Sequence, residues 1–565
     1  MTTVGSVGDG AAVAAIRAAV GDTDAEAVSI AAEGVGRTDV AVLADDVGSS
    51  AFEAAAQRGR ETETPLVCVE LGGVGGIPVD GVEAAVSGYA PGTACHACLC
   101  DRVEAGAPET DEGAYDASTA RFVGALAGRE LAALLEGRES AVLGGVIEVP
   151  HARRRVLPVP YCACADRREG TDGLLDGVEP RSLQESIALA EAAFDERVGP
   201  IASVGEAESF PVPYYVAALA DSPFSDGDAP DHAAGVGIDW DPAFMKALGE
   251  GLERYSAAVY RTAGLVSEPD RPIAPERFVS PDGGSDSVEH WHDAEPIGGG
   301  ETVQVPAETA VFPPPERAVR PAITTGLGLG NDGGEAVRSG LYEVIERDAA
   351  MLAWYSTYEP MGLSVDDEAF DTLRARAGSE GLSVTALLLT QDIDVPVVGA
   401  CVHRTGGWPR FAAGSDADLD PAAAARGALE EALQNWLELR RMGREDATET
   451  GGAIGTHAEF TEAGRRFVDP ATTVPASSVG PTAPPEGRAV VPWLGERLAD
   501  AGLDAYAARL TPRDVEGLGF EAARAIVPGA QPLFTGDPYF GERARSVPAA
   551  LGFEPRLDRT YHPFP

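Results

Sequence analysis

The stretch GLGLGNDGGEAVRSGLYEVIERDAAMLAWY, residues 326–355, constrains this chain more than any other. A glycine-rich run containing Asn331 leads straight into a long predicted helix. That helix carries Glu335, Glu343, Glu346 and Arg347. At 100° per residue, Glu335, Glu343 and Glu346 fall within about 80° of one another. Three carboxylates on one helix face repel unless a cation sits among them. The single lysine of the chain is Lys246, so a metal ion is the natural candidate. Glycine-rich backbone beside clustered carboxylates points to Mg²⁺ with a phosphate-bearing ligand. The flanks SGLY and DAAMLAWY are apolar, so Glu343 and Glu346 are expected on a buried helix, not on a solvated face.

Two further segments repeat the theme. GVGIDWDPAFMKALGEGLERYSAAVY sets Glu250, Glu253 and Arg254 on a helix that follows Gly235-Val236-Gly237. DPAAAARGALEEALQNWLELR sets Arg426, Glu430, Glu431 and Gln434 on another. Spacings of three and four keep each set on one helical face. Three helices with inward acid and amide groups can build one nucleotide–metal site. Glu430 is expected to be a solvated neighbour of Glu431.

In this order the three segments resemble the YcaO family, ATP-dependent enzymes that modify peptide backbones. The resemblance runs from about residue 200 to the end of the chain. It rests on Gly330-Asn331, Glu335, Glu343, Glu346, Arg347 and Asp348, on Glu250, Glu253 and Arg254, and on Glu431 and Gln434. The chain closes in TYHPFP, similar to the proline-rich tail of the family, here shortened to Pro563 and Pro565. The resemblance implies ATP and Mg²⁺ as cofactors, with Glu253, Glu343 and Glu346 as the main metal ligands. Glu250, Glu335 and Glu431 would support metal or nucleotide. Asn331, Arg254, Arg347 and Gln434 would contact the nucleotide. Glu343, Glu346, Arg347 and Pro565 would be the catalytic set. Two departures stand out. Val236 replaces a lysine common between the two glycines, and Lys246-Ala247 replaces a Ser-Ala pair. Lys246 either restores a phosphate-facing cation one turn before Glu250 or lies on the surface.

The N-terminal third reads differently. AEAVSIAA, TDVAVLADD and TPLVCVEL are predicted strands, and GDGAAVAAIRAAVG and SSAFEAAAQRGRE predicted helices. This is an α/β pattern with a parallel sheet, expected to be too small for a complete nucleotide-binding domain. VGSVGDG is only vaguely a nucleotide-binding glycine turn, because no strand is expected before it. PGTACHACLCDRVE then brings Cys95 and Cys98, and RRRVLPVPYCACAD brings Cys162 and Cys164. This portion, residues 1–165, resembles the ThiF-like partner domain of azole-forming cyclodehydratases. The resemblance implies a structural Zn²⁺ held by Cys95, Cys98, Cys162 and Cys164. The second pair is C-X-C, not C-X-X-C, so Cys100 or His96 is an alternative fourth ligand to Cys164. Cys68 and Cys401 sit in apolar runs and are expected in the core.

Helices over 116–137 and 182–199 are expected to link the two halves, with a helical linker at 166–200 and the catalytic unit at 201–565. GGSDSVEHWHDAEPIGGG, 283–300, reads as a surface loop. VTALLLTQDIDVPVVGACVHR, 384–404, reads as two adjacent strands and PRFAAGSDA as a third. The fold class expected is an α/β ThiF-like domain followed by an α+β YcaO-type ATP-binding domain.

The formal net charge of −47 over 565 residues is spread along the chain. It resembles the acidic surface of haloarchaeal proteins, which keeps them soluble in high salt. Such a surface argues against nucleic acid or an anionic membrane as a partner. The N-terminus lacks the basic and apolar regions of a signal peptide, and no apolar run reaches the length of a membrane span. A cytoplasmic protein is expected, which favours metal ligation over disulfides for the cysteines. The resemblance implies a peptide substrate and a homodimer. It implies cyclodehydration of Cys, Ser or Thr to an azoline. The alternatives are backbone thioamidation with a TfuA-like partner, a non-catalytic peptide-binding scaffold, and an adenylating enzyme of the ubiquitin-activating type.

Overall fold

A computed structural model describes residues 2–110, 112–150, 152–164, 173–175, 181–281, 288–450 and 452–564. A seven-stranded sheet occupies the N-terminal part, in the order β2-β1-β3-β4-β5-β6-β7. Its strands are β1 (Thr3–Val7), β2 (Glu26–Ser29), β3 (Val40–Asp46), β4 (Leu66–Leu71), β5 (Ala84–Tyr89), β6 (Gly145–Val149) and β7 (Ala152–Arg155). The first four are mutually parallel and the last three antiparallel. Helices α1 (Gly10–Gly21), α2 (Ser50–Glu61), α3 (His96–Ala105) and α4 (Ala117–Leu135) accompany it.

Three expectations change here. The strand before the glycine turn exists: it is β1, buried from Val4 to Val7 and paired on both edges, with β2 and β3. The sheet is seven strands wide, since the hairpin of β6 and β7 extends it beyond the predicted strands. Helix α4 packs across α1 instead of linking the two halves. Gly124 allows this, for a Cβ there would lie 2.4 Å from the Ala12 carbonyl. The segment 182–199 is α-helical only over α5 (Leu183–Ala190), which opens on a Ser182/Glu185 capping box and runs into a 3-10 turn, Glu191–Ala193. Residues 166–172 and 176–180 of the expected linker lie outside the described residues.

The remainder holds three smaller sheets. One is antiparallel, β8 (Ile201–Glu208), β9 (Tyr214–Leu219) and β10 (His232–Val236). The second is ordered β12-β11-β19-β20-β13, from β11 (Trp291–Pro296), β12 (Val303–Pro306), β13 (Leu327–Gly330), β19 (Tyr506–Arg509) and β20 (Glu521–Ile526). So part of the stretch expected as a surface loop is strand β11, with Trp291 buried against the sheet. The third is ordered β17-β16-β15-β14-β18, from β14 (Met361–Ser364), β15 (Ser383–Leu388), β16 (Val397–His403), β17 (Phe411–Ala417) and β18 (Thr473–Pro475). The strand pair expected over 384–404 is β15 and β16, and PRFAAGSDA supplies β17. Cys68 and Cys401 are fully buried in β4 and β16. No helix among the described residues is long and apolar enough to cross a membrane.

Three long helices complete the fold: α6 (Trp240–Ala258), α7 (Gly333–Trp354) and α9 (Pro421–Met442), with α8 (Glu368–Ser379) packed on α9. Each follows a strand and folds back onto it, α6 on β10, α7 on β13 and α9 on β17. Glycine makes the approach possible. A Cβ at Gly235 would lie 2.2 Å from the Ala247 nitrogen, at Gly328 2.2 Å from the Ala336 carbonyl, and at Gly414 2.5 Å from the Ala432 nitrogen. The three units also interlock, since α6 touches β13, α7 touches β17 and α9 touches β10.

The N-terminal part is locked to this assembly by a buried polar triad. The Arg102 guanidinium, on α3, is ion-paired with Asp514 in the short helix Arg513–Leu518. It also donates to the Tyr255 hydroxyl on α6 at 3.3 Å, and that hydroxyl donates to Asp514 at 2.6 Å. Removing one partner of a buried pair leaves the other charge uncompensated. Asp514→Ala is therefore expected to lower stability by about 3–5 kcal/mol, read by urea unfolding. The double change Arg102→Met/Asp514→Leu should recover most of that loss. Additive losses in the double variant would contradict this.

Candidate active site

The acid-bearing faces of α6, α7 and α9 come together. Helix α7 starts sharply because the Asp332 carboxylate caps it, accepting the Glu335 amide at 2.8 Å. Three turns further on, Arg347 lies between Glu343, at 3.4 Å, and Glu346, at 3.9 Å. Glu343 Oε2 accepts the Gly326 amide at 2.9 Å. Glu346 is buried and accepts the Ser415 hydroxyl at 2.6 Å, while the Ser415 amide donates to Glu431 at 2.6 Å. On α6, Arg254 donates to Glu250 at 3.2 Å and sits 3.7 Å from Glu253.

Burial controls the titration of this cluster. It raises the Glu253 carboxyl to about 7, against the pull of Arg254 and with added repulsion from Glu343 and Glu250. It raises Glu431 to about 7, with Arg347 opposing and Glu343 repelling. It raises Asp416 to about 8, with Lys246 opposing and Glu431 repelling. It holds Glu346 well above the ordinary carboxyl range, with Arg347 opposing and Glu431 and Asp416 repelling. These repulsions run from α6 to α7 and from α7 to α9, so all three helices contribute to one electrostatic unit.

Not every expected residue joins that unit directly. The Asn331 amide groups, main chain and side chain, both donate to Glu335 at 3.0 Å, and Ser186 donates to Asn331 at 2.8 Å. These form a separate knot at the start of α7. Gln434 donates to Glu438 at 3.1 Å, and the Tyr214 hydroxyl donates to the same oxygen at 3.2 Å. The Lys246 ammonium, its side chain 52% exposed, lies on Glu430 at 2.5 Å. Glu430 is thereby buried and paired, not solvated as its sequence position implied. The glycines at 326–330 serve backbone packing, and Val236 is buried in the core. Asp416, Ser415, Glu438 and Tyr214 were not singled out in the sequence. Asp416, a lone acid in the otherwise small and apolar strand FAAGSDA, carried the one usable signal.

The chain end lies beside α7. Trp354 donates to the Thr560 carbonyl at 2.8 Å, and Arg559 to the Trp354 carbonyl at 2.7 Å. His562 is fully buried, bonded to the Phe534 carbonyl at 3.0 Å, and within electrostatic reach of Arg347. Pro563 and Phe564 are buried. Pro565 lies outside the described residues.

The donor set suits a hard cation. Glu253, Glu343, Glu346, Asp416 and Glu431 supply oxygen only, and their carboxylates outnumber the guanidinium groups of Arg254 and Arg347 among them. The oxygens of Glu253, Glu343 and Glu346 do not close into a single three-ligand cage. Among the described residues, such clusters are the four cysteines and the surface group Glu289, His290 and Glu316. Glu253 instead faces Glu343, and Glu346 faces Glu431 and Asp416. Mg²⁺ takes one or two carboxylates and fills its remaining positions with water and phosphate, so a dispersed set of this kind fits it.

The cysteines meet at the base of α3. Cys95 lies 3.8 Å from Cys98 and 3.5 Å from Cys162, and Cys98 lies 3.4 Å from Cys164, sulfur to sulfur. Sulfurs about 2.3 Å from a tetrahedral Zn²⁺ stand about 3.8 Å apart. The Val159 amide donates to Cys98, and Arg60 and Arg513 approach Cys95 and Cys164. Cys164 thus completes the set. Cys100 turns instead to His96 at 3.6 Å, and His96 to the buried Glu70 at 3.5 Å.

Residues 234–531 match the family model described as YcaO cyclodehydratase, ATP- and Mg²⁺-binding. An uncharacterized protein of Methanothermobacter thermautotrophicus is 31% identical over 333 residues, 55% of this chain and 85% of that protein. An uncharacterized protein in the tfuA 3′ region of Rhizobium leguminosarum bv. trifolii is 30% identical over 134 residues, 21% of this chain and 32% of that protein. The solved structure of a heterocyclase in complex with substrate and cofactor superimposes with a TM-score of 0.71 at 18% identity, over 98% of this chain and 83% of that one. That likeness establishes a shared mixed α/β fold along the whole chain.

In metal-free protein the raised carboxyls stabilise the fold fully below their unfolded pKa, about 4. That stability is lost as pH rises through about 7 for Glu253 and Glu431 and about 8 for Asp416. A tenfold change in proton affinity corresponds to about 1.4 kcal/mol. With chelator in molar KCl, the melting temperature should fall between about pH 5 and pH 9. The slope should flatten in Glu253→Gln and Asp416→Asn. A pH-independent melting temperature would contradict the assignment.

Proposed function

The chain belongs to the YcaO family, and from that premise we propose that it cyclodehydrates Cys, Ser or Thr residues of a ribosomally made peptide to azolines, using ATP. The carrying observation is the buried surplus of carboxylate on three interlocked helices, with Arg347 fixed inside it.

The chemical obstacle is the amide oxygen, a poor leaving group. A thiol or hydroxyl of the peptide adds to the preceding carbonyl carbon, forming a tetrahedral adduct. The adduct oxygen takes the γ-phosphoryl group of ATP, and ADP leaves. Phosphate then departs with that oxygen as the ring nitrogen forms the C=N bond and loses its proton. The peptide loses the elements of water, and the oxygen ends in phosphate. Catalysis of such a step is mainly positioning and charge neutralisation.

Glu253, Glu343 and Glu346 would hold Mg²⁺, with Glu250, Glu335 and Glu431 in support. The bound ion supplies positive charge to the phosphates. Arg347 cannot deprotonate and stays a fixed cation for the phosphoryl group. Arg254, Asn331 and Gln434 bind the nucleotide in this reading. Lys246 acts at a distance, holding Glu430 and favouring the ionised form of Asp416. His562, within electrostatic reach of Arg347, sets the closing residues beside this cluster, and the family resemblance assigns Pro565 to the catalytic set. We read residues 1–165 as a ThiF-like docking unit that presents peptide to a catalytic unit at 201–565.

Phosphate release from ATP with Mg²⁺ in molar KCl tests this reading. Candidate peptides should stimulate release and lose about 18 Da per event, one water. Glu343→Ala and Glu346→Ala should each lower turnover by about 10²-fold or more. Backbone thioamidation is the second reading, favoured by the relative found in a tfuA region. There sulfide replaces the internal nucleophile and the peptide gains about 16 Da. Stimulated release with neither mass change would sink both readings. Nucleotide-independent peptide binding alone would leave a scaffold.

The four-cysteine cluster is proposed to hold one structural Zn²⁺. Metal analysis of purified protein should give about one zinc per chain. Cys98→Ser should lose it together with several degrees of melting temperature, whereas Cys100→Ser should keep both. Zinc-free wild type of full stability would refute this.

A further inference from the structure

Between α6 and α7 the chain runs through a strap, residues 308–326, buried at both ends and half-buried or exposed over much of its middle. Two buried charged side chains bond its backbone, Glu308 from within the strap and Arg524 from β20. Glu308, 5% exposed, accepts the amides of Ala318, Val319 and Arg320 at 2.5, 2.8 and 2.9 Å. Arg524 of β20, fully buried, donates to the carbonyls of Thr325, Ala310 and Ile323 at 3.1, 3.4 and 2.6 Å. One side chain takes three amides and the other gives to three carbonyls. The strap is also tied to the end of α6 through the Phe312 amide on the Ala257 carbonyl, and to the residue two past that helix through the Tyr260 hydroxyl on the Pro313 carbonyl, both at 3.0 Å.

The strap ends at Gly326, whose position leaves no freedom. Its carbonyl accepts the Ala525 amide at 2.7 Å, its φ is +90°, and a Cβ would lie 2.2 Å from the Ala525 carbonyl. From there its amide reaches Glu343 Oε2 at 2.9 Å, leaving Oε1 facing Arg347. Arg524 itself feels the attraction of Glu343 and Glu253 and the repulsion of Arg254.

We infer that Arg524 is a positioning residue: it pins the strap so that the Gly326 amide fixes the rotamer of Glu343 for metal binding. This rests on the reading of Glu343 as a metal ligand. Arg524 touches no substrate. It supplies a flat fork with several donors, which a lysine ammonium cannot copy in that geometry. Partners that orient a ligating carboxylate typically change metal affinity by about 10–100-fold when lost. Glu308 serves the same end from within the strap, by tying its start to residues 318–320.

The test is Mn²⁺ binding to the full chain, followed by electron paramagnetic resonance, with a non-hydrolysable ATP analogue in molar KCl. Wild type, Arg524→Lys, Glu308→Gln and Glu343→Gln are compared, with melting temperatures alongside. Arg524→Lys is expected to keep full stoichiometry and to raise the Kd by about tenfold. Glu308→Gln should shift it in the same direction by less, and it carries the test if Arg524→Lys does not fold. A lower stoichiometry at unchanged Kd would mean that Arg524 only supports folding, which overturns the inference. An unchanged Kd in Arg524→Lys with a weakened Glu343→Gln overturns it too, while leaving Glu343 a ligand. An unchanged Kd in Glu343→Gln overturns the metal-ligand reading and the inference together.

Discussion

The whole catalytic half depends on how closely three helices lie on the strands that precede them. Gly235, Gly328 and Gly414 each face helix backbone where no side chain fits. A methyl group at any of them would push its helix outward, and the three helices are interlocked through one another's strands. Displacing α7 from β13 would move Glu343 and Glu346 away from Ser415 and Glu431. The glycines therefore set the distances within the carboxylate cluster. Their cost in chain entropy is offset by the dense packing of Val337, Leu341 and Ile345 in the core.

That packing creates an electrostatic problem that the protein alone does not solve. Burying a carboxylate is unfavourable unless it is paired or protonated. Glu253, Glu431 and Asp416 are pushed to about 7 or 8, so near neutrality they sit between the two forms. A cation that displaces their protons recovers the lost stabilisation, which couples metal binding to proton release. Structural acid pairs in cores do not need such a surplus. Here the surplus lies within residues 234–531, the stretch that matches the YcaO family model.

The parts of the site legible in the sequence are those encoded by local spacing. Glu250 with Glu253, and Glu343 with Glu346, share a helix, so period alone puts them on one face. The strands over 384–417 were legible as short apolar runs bounded by turn residues. What was not legible depends on partners far along the chain. Ser415 and Asp416 lie in a strand buried on both faces, where alternation carries no information. Glu430 resembled a solvated acid because its partner, the single lysine, is 184 residues away. The glycines of 326–330 suggested a phosphate loop, yet Leu327–Gly330 is strand β13; Gly328 and Gly330 are explained by the helix above them, and Gly326 by its close approach to β20. Arg524 lies in no motif, since its partners are main-chain carbonyls, which leave no trace in side-chain pattern.

The N-terminal part is bound into this arrangement through α6. Arg102 follows the Cys98 ligand position by one turn of α3, and Tyr255 follows Arg254 on α6. Asp514 holds both at once. A shift of α3 relative to α6 would strand a buried charge, at a cost of several kcal/mol. So α3, its cysteine cluster and the Glu253 end of α6 move as one body. A protein with a hinge at this junction would keep such a pair exposed and weak, as surface ion pairs are. Full burial of all three residues argues for a fixed relation between the two parts. On the docking role proposed for the N-terminal part, peptide would meet the carboxylate cluster in one geometry.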